Sequence, residues 1–281
     1  MRRYTFVVTL AVLVVAGITI AEEAPDMDAD GSPGAATAPR SPEAPAAAGS
    51  GRAGTVIAVT WSTSNSEVGS VDTTTGAWTA IGSSGQTRFN SLARNTSEVF
   101  YTVAWDGTST SWLATLDVST GTATTVATIT PFIDVRGLAF DYGGTLYAVR
   151  NTTPSDELYT IDTGTGAATL IGAIGFGTVQ GLAFSPVTAN LYAWDNAAGL
   201  IAVDTVTGAG IDINPSVGGT GDIQTISAMP DGTMYGLRYD LYTINPGDGT
   251  YSLVAVGGYP DVRGADFTGP FPVSIQSFSV D

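Results

Sequence analysis

Two tripeptides, Asp134-Val135-Arg136 and Asp261-Val262-Arg263, each set a carboxylate two residues before an arginine. On an extended strand, residues i and i+2 share a face, so each pair can act together. The guanidinium offers a planar fork suited to carboxylates or sugar hydroxyls. The carboxylate can give or take a proton. A recurring phrase, set out below, puts Asn90, Gln180 and Gln224 where these arginines stand, and Arg88, Thr178 and Asp222 where the aspartates stand. Three readings follow. Asp134, Asp222 and Asp261 could supply an acid, a base and a neighbouring charge for glycosidic cleavage. The same polar ring could bind a ligand without turnover. Or three Asp and three Arg could neutralise one another and plug a channel, the reading that the balance of charge favours. Trp61, Trp105 and Tyr239 stand just after apolar runs and could stack on sugar rings or form a protein-binding patch.

What the chain lacks narrows the chemistry. It has no Cys, His or Lys, and all ten basic residues are Arg. Without His, the commonest general base and metal ligand is missing. Without Lys there is no Schiff-base chemistry. No metal and no cofactor is expected. One stretch, Asp26-Met-Asp-Ala-Asp-Gly31, opens like a calcium loop, but its twelfth position is Thr37 rather than Glu and Pro33 interrupts it. A solvated acidic linker is the better reading.

The ends read as separable parts. Arg2 and Arg3 precede an apolar run from Tyr4 to Ala21 that ends in small residues, the pattern of an export signal over 1–21. An uncleaved anchor is the competing reading, and the run is short for a span of about 20 residues. Residues 22–54 are Ala, Pro, Gly and acid, which reads as a disordered tether. Loss of the signal removes two arginines and no acid, taking the net charge from −16 to −18. Such a charge repels nucleic acid and anionic membranes, so neither is expected as a partner once the signal is cleaved. An extracellular glycan or protein is. The tail 269–281 reads either as a strand of a further β-sandwich module or as a frayed end.

Between the ends the chain repeats itself. D-x-x-T-G turns start at Asp72, Asp117, Asp162 and Asp204, with a degenerate copy at Asn245; the spacings are 45, 45, 42 and 41. A second phrase recurs as NSLAR at 90–94, RGLAF at 136–140, QGLAF at 180–184, QTISA at 224–228 and RGADF at 263–267. A third follows it, as in TLYAV at 145–149 and NLYAW at 190–194, with TVIAV at 55–59 as its first copy. Each unit is four short runs rich in Val, Ile, Thr and Tyr, broken by Gly, Asp and Pro. Four strands in about 43 residues, five times over, is the pattern of a β-propeller of four-stranded antiparallel blades. The D-x-x-T-G turn is expected to be structural, with the Asp accepting backbone bonds and the Gly taking a positive φ.

Over about 55–267 the repeats resemble the YVTN, NHL and gluconolactonase-like propellers of exported bacterial proteins. The resemblance implies that the GLAF strand is innermost, the LYA strand next, and the D-x-x-T-G turn between the third and fourth strands. The chain would then start with strands two to four of a blade and end with that blade's innermost strand, closing the ring. It would also put Asn90, Arg136, Gln180, Gln224 and Arg263 around one channel mouth, with Asp134, Asp222 and Asp261 beside them, and the longer loops on that face. Gluconolactonase-like enzymes carry metal-binding Asn and acidic residues there. Only Asn90 matches, and Arg136 and Arg263 bring positive charge instead. The three Glu of the repeat region, Glu67, Glu98 and Glu157, are expected to flank outer strands. The expected function is an exported, non-catalytic binding or scaffolding propeller. The alternative is a carbohydrate-active enzyme using the mouth aspartates.

Overall fold

The computed structural model describes residues 54–131 and 134–268. The signal at 1–21, nearly all of the tether at 22–54, the calcium-like stretch at 26–31 and the tail at 269–281 lie outside them. Among the described residues there are twenty strands, and no helix is long and apolar enough to cross a membrane.

The strands form five four-stranded antiparallel sheets. Blade one holds β1 (Thr55–Thr60), β2 (Glu67–Asp72) and β3 (Trp78–Ser83), completed on its inner edge by β20 (Val262–Phe267). Blade two runs β4 (Leu92–Arg94), β5 (Phe100–Trp105), β6 (Ser111–Leu116) and β7 (Ala123–Thr128). Blade three runs β8 (Val135–Phe140), β9 (Leu146–Arg150), β10 (Glu157–Ile161) and β11 (Ala168–Ala173). Blade four runs β12 (Val179–Phe184), β13 (Leu191–Asp195), β14 (Gly199–Val203) and β15 (Gly210–Asp212). Blade five runs β16 (Thr225–Ala228), β17 (Met234–Leu237), β18 (Leu241–Ile244) and β19 (Tyr251–Ala255). The fold is a five-bladed β-propeller. The last strand pairs with the first, Val56 opposite Phe267 and Ala58 opposite Ala265. This closes the ring and leaves β1 no open edge.

A single four-stranded sheet exposes two faces, and apolar residues alternate onto both. The remedy is visible in five apolar clusters, one between each pair of neighbouring blades. Ile57, Val59, Leu92 and Phe100 pack between blades one and two; Leu113, Leu138 and Leu146 between two and three. Val149, Leu182 and Ile201 fill the gap between three and four; Trp194, Ile226 and Met234 that between four and five. Val56, Leu237, Tyr259 and Val262 close five onto one. Truncating one such Leu or Ile costs about 2–5 kcal/mol.

The repeated turn does more than reverse the chain. At Asp162 the carboxylate accepts the Gly164 and Thr165 N–H groups at 3.0 and 2.8 Å, and Gly166 takes φ 73°. The Thr165 hydroxyl, donating to the same carboxylate at 2.8 Å, and these two backbone bonds hold Asp162 below the usual carboxylate range, and hydroxyl and backbone N–H donors do the same at Asp72, Asp117 and Asp204. The turn glycine also abuts the preceding blade. A Cβ on Gly166 would lie 2.3 Å from the Thr128 carbonyl oxygen, one on Gly121 would lie 2.8 Å from Gly82, and one on Gly208 would lie 2.8 Å from Gly172. A Cβ on Gly76 would lie 2.3 Å from that of Ala255, so the first blade meets the fifth in the same way. Strand twist thus brings each outer hairpin against the outermost strand of the preceding blade.

The innermost strands approach even more closely. A Cβ on Gly137 of β8 would meet the Leu182 nitrogen of β12 at 2.9 Å, and one on Gly181 would meet the Ile226 nitrogen of β16 at 2.8 Å. One on Gly264 of β20 would lie 2.3 Å from the Ser91 carbonyl carbon, just before β4. This is why the GLAF phrase begins on glycine. In blade five Thr225 takes the glycine's place, and its hydroxyl accepts the Ala265 N–H of β20 at 3.1 Å. Gly264→Ala forces backbone apart with no flexible side chain to give way. It should cost about 1–3 kcal/mol and lower the melting temperature by several degrees. An unchanged Tm would show that the inner strands do not touch there.

Candidate functional site

The channel mouth is built by the residues that enter the five innermost strands. Arg136 is buried, and its Nε and Nη2 donate to the two carboxylate oxygens of Asp134 at 2.7 and 3.1 Å. Arg263 does the same to Asp261 at 2.9 and 2.8 Å, and its Nη1 donates to the Gln224 carboxamide oxygen at 3.1 Å. Strand alternation produces both forks, since the paired side chains sit two residues apart. Gln224 also donates to the Gly221 carbonyl at 3.2 Å and to the Asn196 carboxamide oxygen at 3.4 Å; Gln180 donates to that of Asn151 at 3.4 Å. Asn90 is buried, and its side-chain oxygen has no hydrogen-bond partner among the described residues. Asp222 stands exposed beside the Thr220 hydroxyl.

Arg88 and Thr178 each bond a neighbouring segment of their own blade. Arg88 has φ 54° and donates through Nη1 to the Asp106 carbonyl at 3.4 Å. Thr178 donates through its N–H and hydroxyl to Asp195 at 2.9 and 3.0 Å. Arginine and carboxylate thus meet at Asp134–Arg136 and around Asp261, while Asn90 and Asp222 stand apart from those pairs.

Several mouth residues escaped the sequence reading. Arg238, just after β17, donates to Asp261 at 2.9 Å and to the Gly221 carbonyl at 3.0 Å, so Asp261 is held between two guanidiniums. Asp156 is buried and accepts the N–H groups of Thr152 and Val179 and the Asn151 amide at 2.7–3.0 Å. Burial pushes its carboxyl up to about 6, against those donors. Asp195 accepts the Ala197 and Ala198 N–H groups at 2.9 and 2.8 Å as well as Thr178. For Asp195 and Arg238 the signal was a polar residue closing the second strand, as in Leu-Tyr-Ala-Trp-Asp195 and Met-Tyr-Gly-Leu-Arg238; Asp156 instead directly precedes the third strand of its blade. The Glu expectation needs one correction. Glu67 and Glu157 do open third strands, but Glu98 sits before β5 and ion-pairs Arg94 of the innermost strand at 2.8 Å. A positive φ of 66° turns the chain there.

Trp61 and Tyr239 lie on loops and Trp105 closes β5, and backbone bonds tie the three segments into one arc. The Tyr239 carbonyl accepts the Tyr259 N–H at 3.0 Å, and the Asp261 carbonyl accepts the Trp61 N–H at 2.7 Å. Ser62 then accepts from Arg88 at 2.8 Å, and Thr87 accepts from Trp105 at 3.4 Å. The arc spans blades five, one and two. Tyr239 is 41% exposed, with the Arg238 guanidinium 4.7 Å from its ring centre. The Trp105 indole nitrogen is buried without a partner among the described residues.

No protein-family model matches the sequence, and no curated protein matches it. Solved structures match in fold. A chain from a nidogen/laminin complex superposes with a TM-score of 0.54 at 11% identity, over 78% of this chain and 100% of that one. A protein of unknown function from Bacteroides thetaiotaomicron gives 0.50 at 17% identity, over 73% and 56%. TolB from Acinetobacter baumannii gives 0.49 at 15%, over 72% and 53%. The chain spans about half the length of these two bacterial proteins. At such identities the likeness is one of fold.

Two outcomes follow. Arg136→Ala leaves Asp134, only 22% exposed, without its fork, and should cost about 1–3 kcal/mol of stability, read by denaturant unfolding; no loss would mean the pair is not formed. The second concerns pH. An unfolded Asp titrates near 4, so a folded value raised to about 6 at Asp156, or about 7 at Asp266, means the folded state holds the extra proton. That contribution is full below about pH 4 and is lost as pH rises through 6 and 7. The melting temperature should therefore be higher at pH 5.5 than at 7.5, with a smaller difference in Asp156→Asn. A flat or rising profile would contradict the burial of these groups.

Proposed function

We propose that this chain is an exported, non-catalytic propeller that binds or scaffolds at the cell exterior, meeting a glycan or protein with its variable-loop face. The observation that carries this reading is the arc of Tyr239, Trp61 and Trp105, on two loops and a strand end bonded to one another. Tyr239 stands exposed on a buried guanidinium that Asp261 fixes in place. An aromatic held in this way offers contact area at little entropic cost. Export rests on the sequence of residues 1–21.

The mouth ring then supports the loops rather than reacting. Both oxygens of Asp134 and of Asp261 are taken up by arginine, leaving neither carboxylate placed to move a proton to substrate. Asp222 stands without an arginine among its hydrogen-bond partners, and one carboxylate does not make the acid–base pair that glycoside cleavage uses. Arg136 would act on a ligand through the donors that Asp134 leaves, with Asn90, Gln180, Gln224 and Arg263 around the same mouth.

Arrays of bacterial and host polysaccharides and of extracellular proteins should yield a binder. Tyr239→Ala should weaken that binding by up to about tenfold, a stacking contact of about 0.5–1.5 kcal/mol, and leave melting unchanged. Hydrolysis of any polysaccharide or nitrophenyl glycoside by the wild type, abolished in Asp222→Asn, would replace this reading with the enzymatic one.

A further inference from the structure

Neighbouring blades are stitched at the rim by one recurring backbone bond. The first residue of a blade's fourth strand donates its N–H to a carbonyl just past the fourth strand of the preceding blade. Ala123 donates to Ser84 at 3.0 Å, Ala168 to Thr130 at 2.7 Å and Gly210 to Ile174 at 2.8 Å. Blades one to four are joined in this way. The equivalent residues of blades five and one are Tyr251 and Trp78, each opening its fourth strand. Among the described residues neither makes that bond. A side chain bridges each seam instead. The Asn214 amide donates to the Asp248 carbonyl at 2.9 Å between blades four and five, and the Tyr259 hydroxyl donates to the Gly76 carbonyl at 2.6 Å between five and one.

Blade five is also short in its middle strands. Its β17 and β18 have four residues each, where the second and third strands of the other blades have five or six. Residues 213–224, which lead into it, form the longest connection between described strands and hold Gly218, Gly219 and Gly221. Its inner side is tied more firmly. The Thr225 hydroxyl accepts the Ala265 N–H at 3.1 Å, the Arg238 carbonyl accepts the Val262 N–H at 3.3 Å, and Gln224 accepts from Arg263 at 3.1 Å. A sheet tied along its innermost strand and only by side chains at its rim can swing outward about that strand. The closure of the ring by β20 survives such a swing. Tyr259 is the check on it. Its N–H is bonded to the Tyr239 carbonyl at 3.0 Å, so it travels with blade five. Its ring is buried in the seam 6.2 Å from that of Trp78, and a Cβ on Gly257 would run into it. Burial, with the Asp240 charge, pushes the phenol up to about 12, so the hydroxyl keeps its proton and its bond through the working range.

We propose that blade five is a hinged blade, opening at its rim as a unit while the other four stay closed, and that the Tyr259 hydroxyl is its latch. Opening breaks the Asn214 and Tyr259 bonds and parts the apolar contacts on the blade's two faces. The backbone pairing inside its sheet stays intact. A cooperative unit of this kind opens at a free energy below that of global unfolding. Arg238 and Tyr239 ride on blade five, so on the loop-face reading the latch sets where one end of the aromatic arc stands. The hinge itself does not depend on that reading, and it is measured without a ligand.

The test is native-state hydrogen exchange on the folded full chain, with rates corrected for intrinsic exchange. In the wild type, amides of β17 and β18 should exchange faster than their counterparts in β9, β10, β13 and β14. Tyr259→Phe removes only the hydroxyl. It should speed exchange across β17, β18 and β19 by about three- to tenfold, the worth of one hydrogen bond, and leave blades three and four at wild-type rates. Asn214→Ala, at the other seam, should act on the same strands. Tyr159→Phe is the control, since its hydroxyl donates to Glu157 within blade three at 2.9 Å, and it should leave blade five unchanged. Equal protection of blades three, four and five in the wild type would overturn the hinge. So would a rise in Tyr259→Phe that all five blades share, or no rise in that variant at all.

Discussion

The closeness of the five innermost strands governs this molecule. Where Gly137, Gly181 and Gly264 stand, a single methyl group would run into the backbone of the next strand. Backbone packed on backbone fixes how the innermost strands stand side by side. The residues that precede the glycine, Arg136, Gln180 and Arg263 among them, are thereby brought to one mouth, and those that follow it by two or three positions gather at the other end of the strands.

The same principle operates at the rim. Each D-x-x-T-G glycine sits against the outermost strand of the preceding blade, and the Tyr259 hydroxyl donates to the Gly76 carbonyl at 2.6 Å where the fifth blade meets the first. A motif that looks local is therefore an inter-blade contact. The ring is held at the axis by inner glycines, at the rim by turn glycines, and between them by the five apolar clusters. With no Cys in the chain, this layered burial does the work that disulfides do in many exported domains.

The architecture was legible because repetition amplifies weak signals. Four short strands are ambiguous alone, but their fivefold recurrence, the placing of LYA beside GLAF and the closure by RGADF specify sheet order. The mouth pairs Asp134–Arg136 and Asp261–Arg263 were legible for a simpler reason, as i, i+2 alternation suffices. Arg238 was not, because its partner Asp261 lies in a loop 23 residues later and only the folded ring brings them together. Arg94, Ser227 and Asp266, which the fold gathers at the other end of the inner strands, were not legible because they are exceptions to the repeat rather than instances of it. What the proposed loop face would meet is a matter of side-chain detail on irregular loops, which carry no repeat to amplify.

The central claim is a ring closed by its last strand, with its innermost strands packed backbone on backbone. Native-state hydrogen exchange reads it most directly. Amides of Val56 to Val59 in β1 and of Gly264 to Phe267 in β20 should exchange as slowly as those of β8 and β12, since the same pairing and the same inner contacts protect them. Fast exchange confined to β1 and β20, with the other four blades protected, would contradict it and show a ring that stands open between its first and last strands.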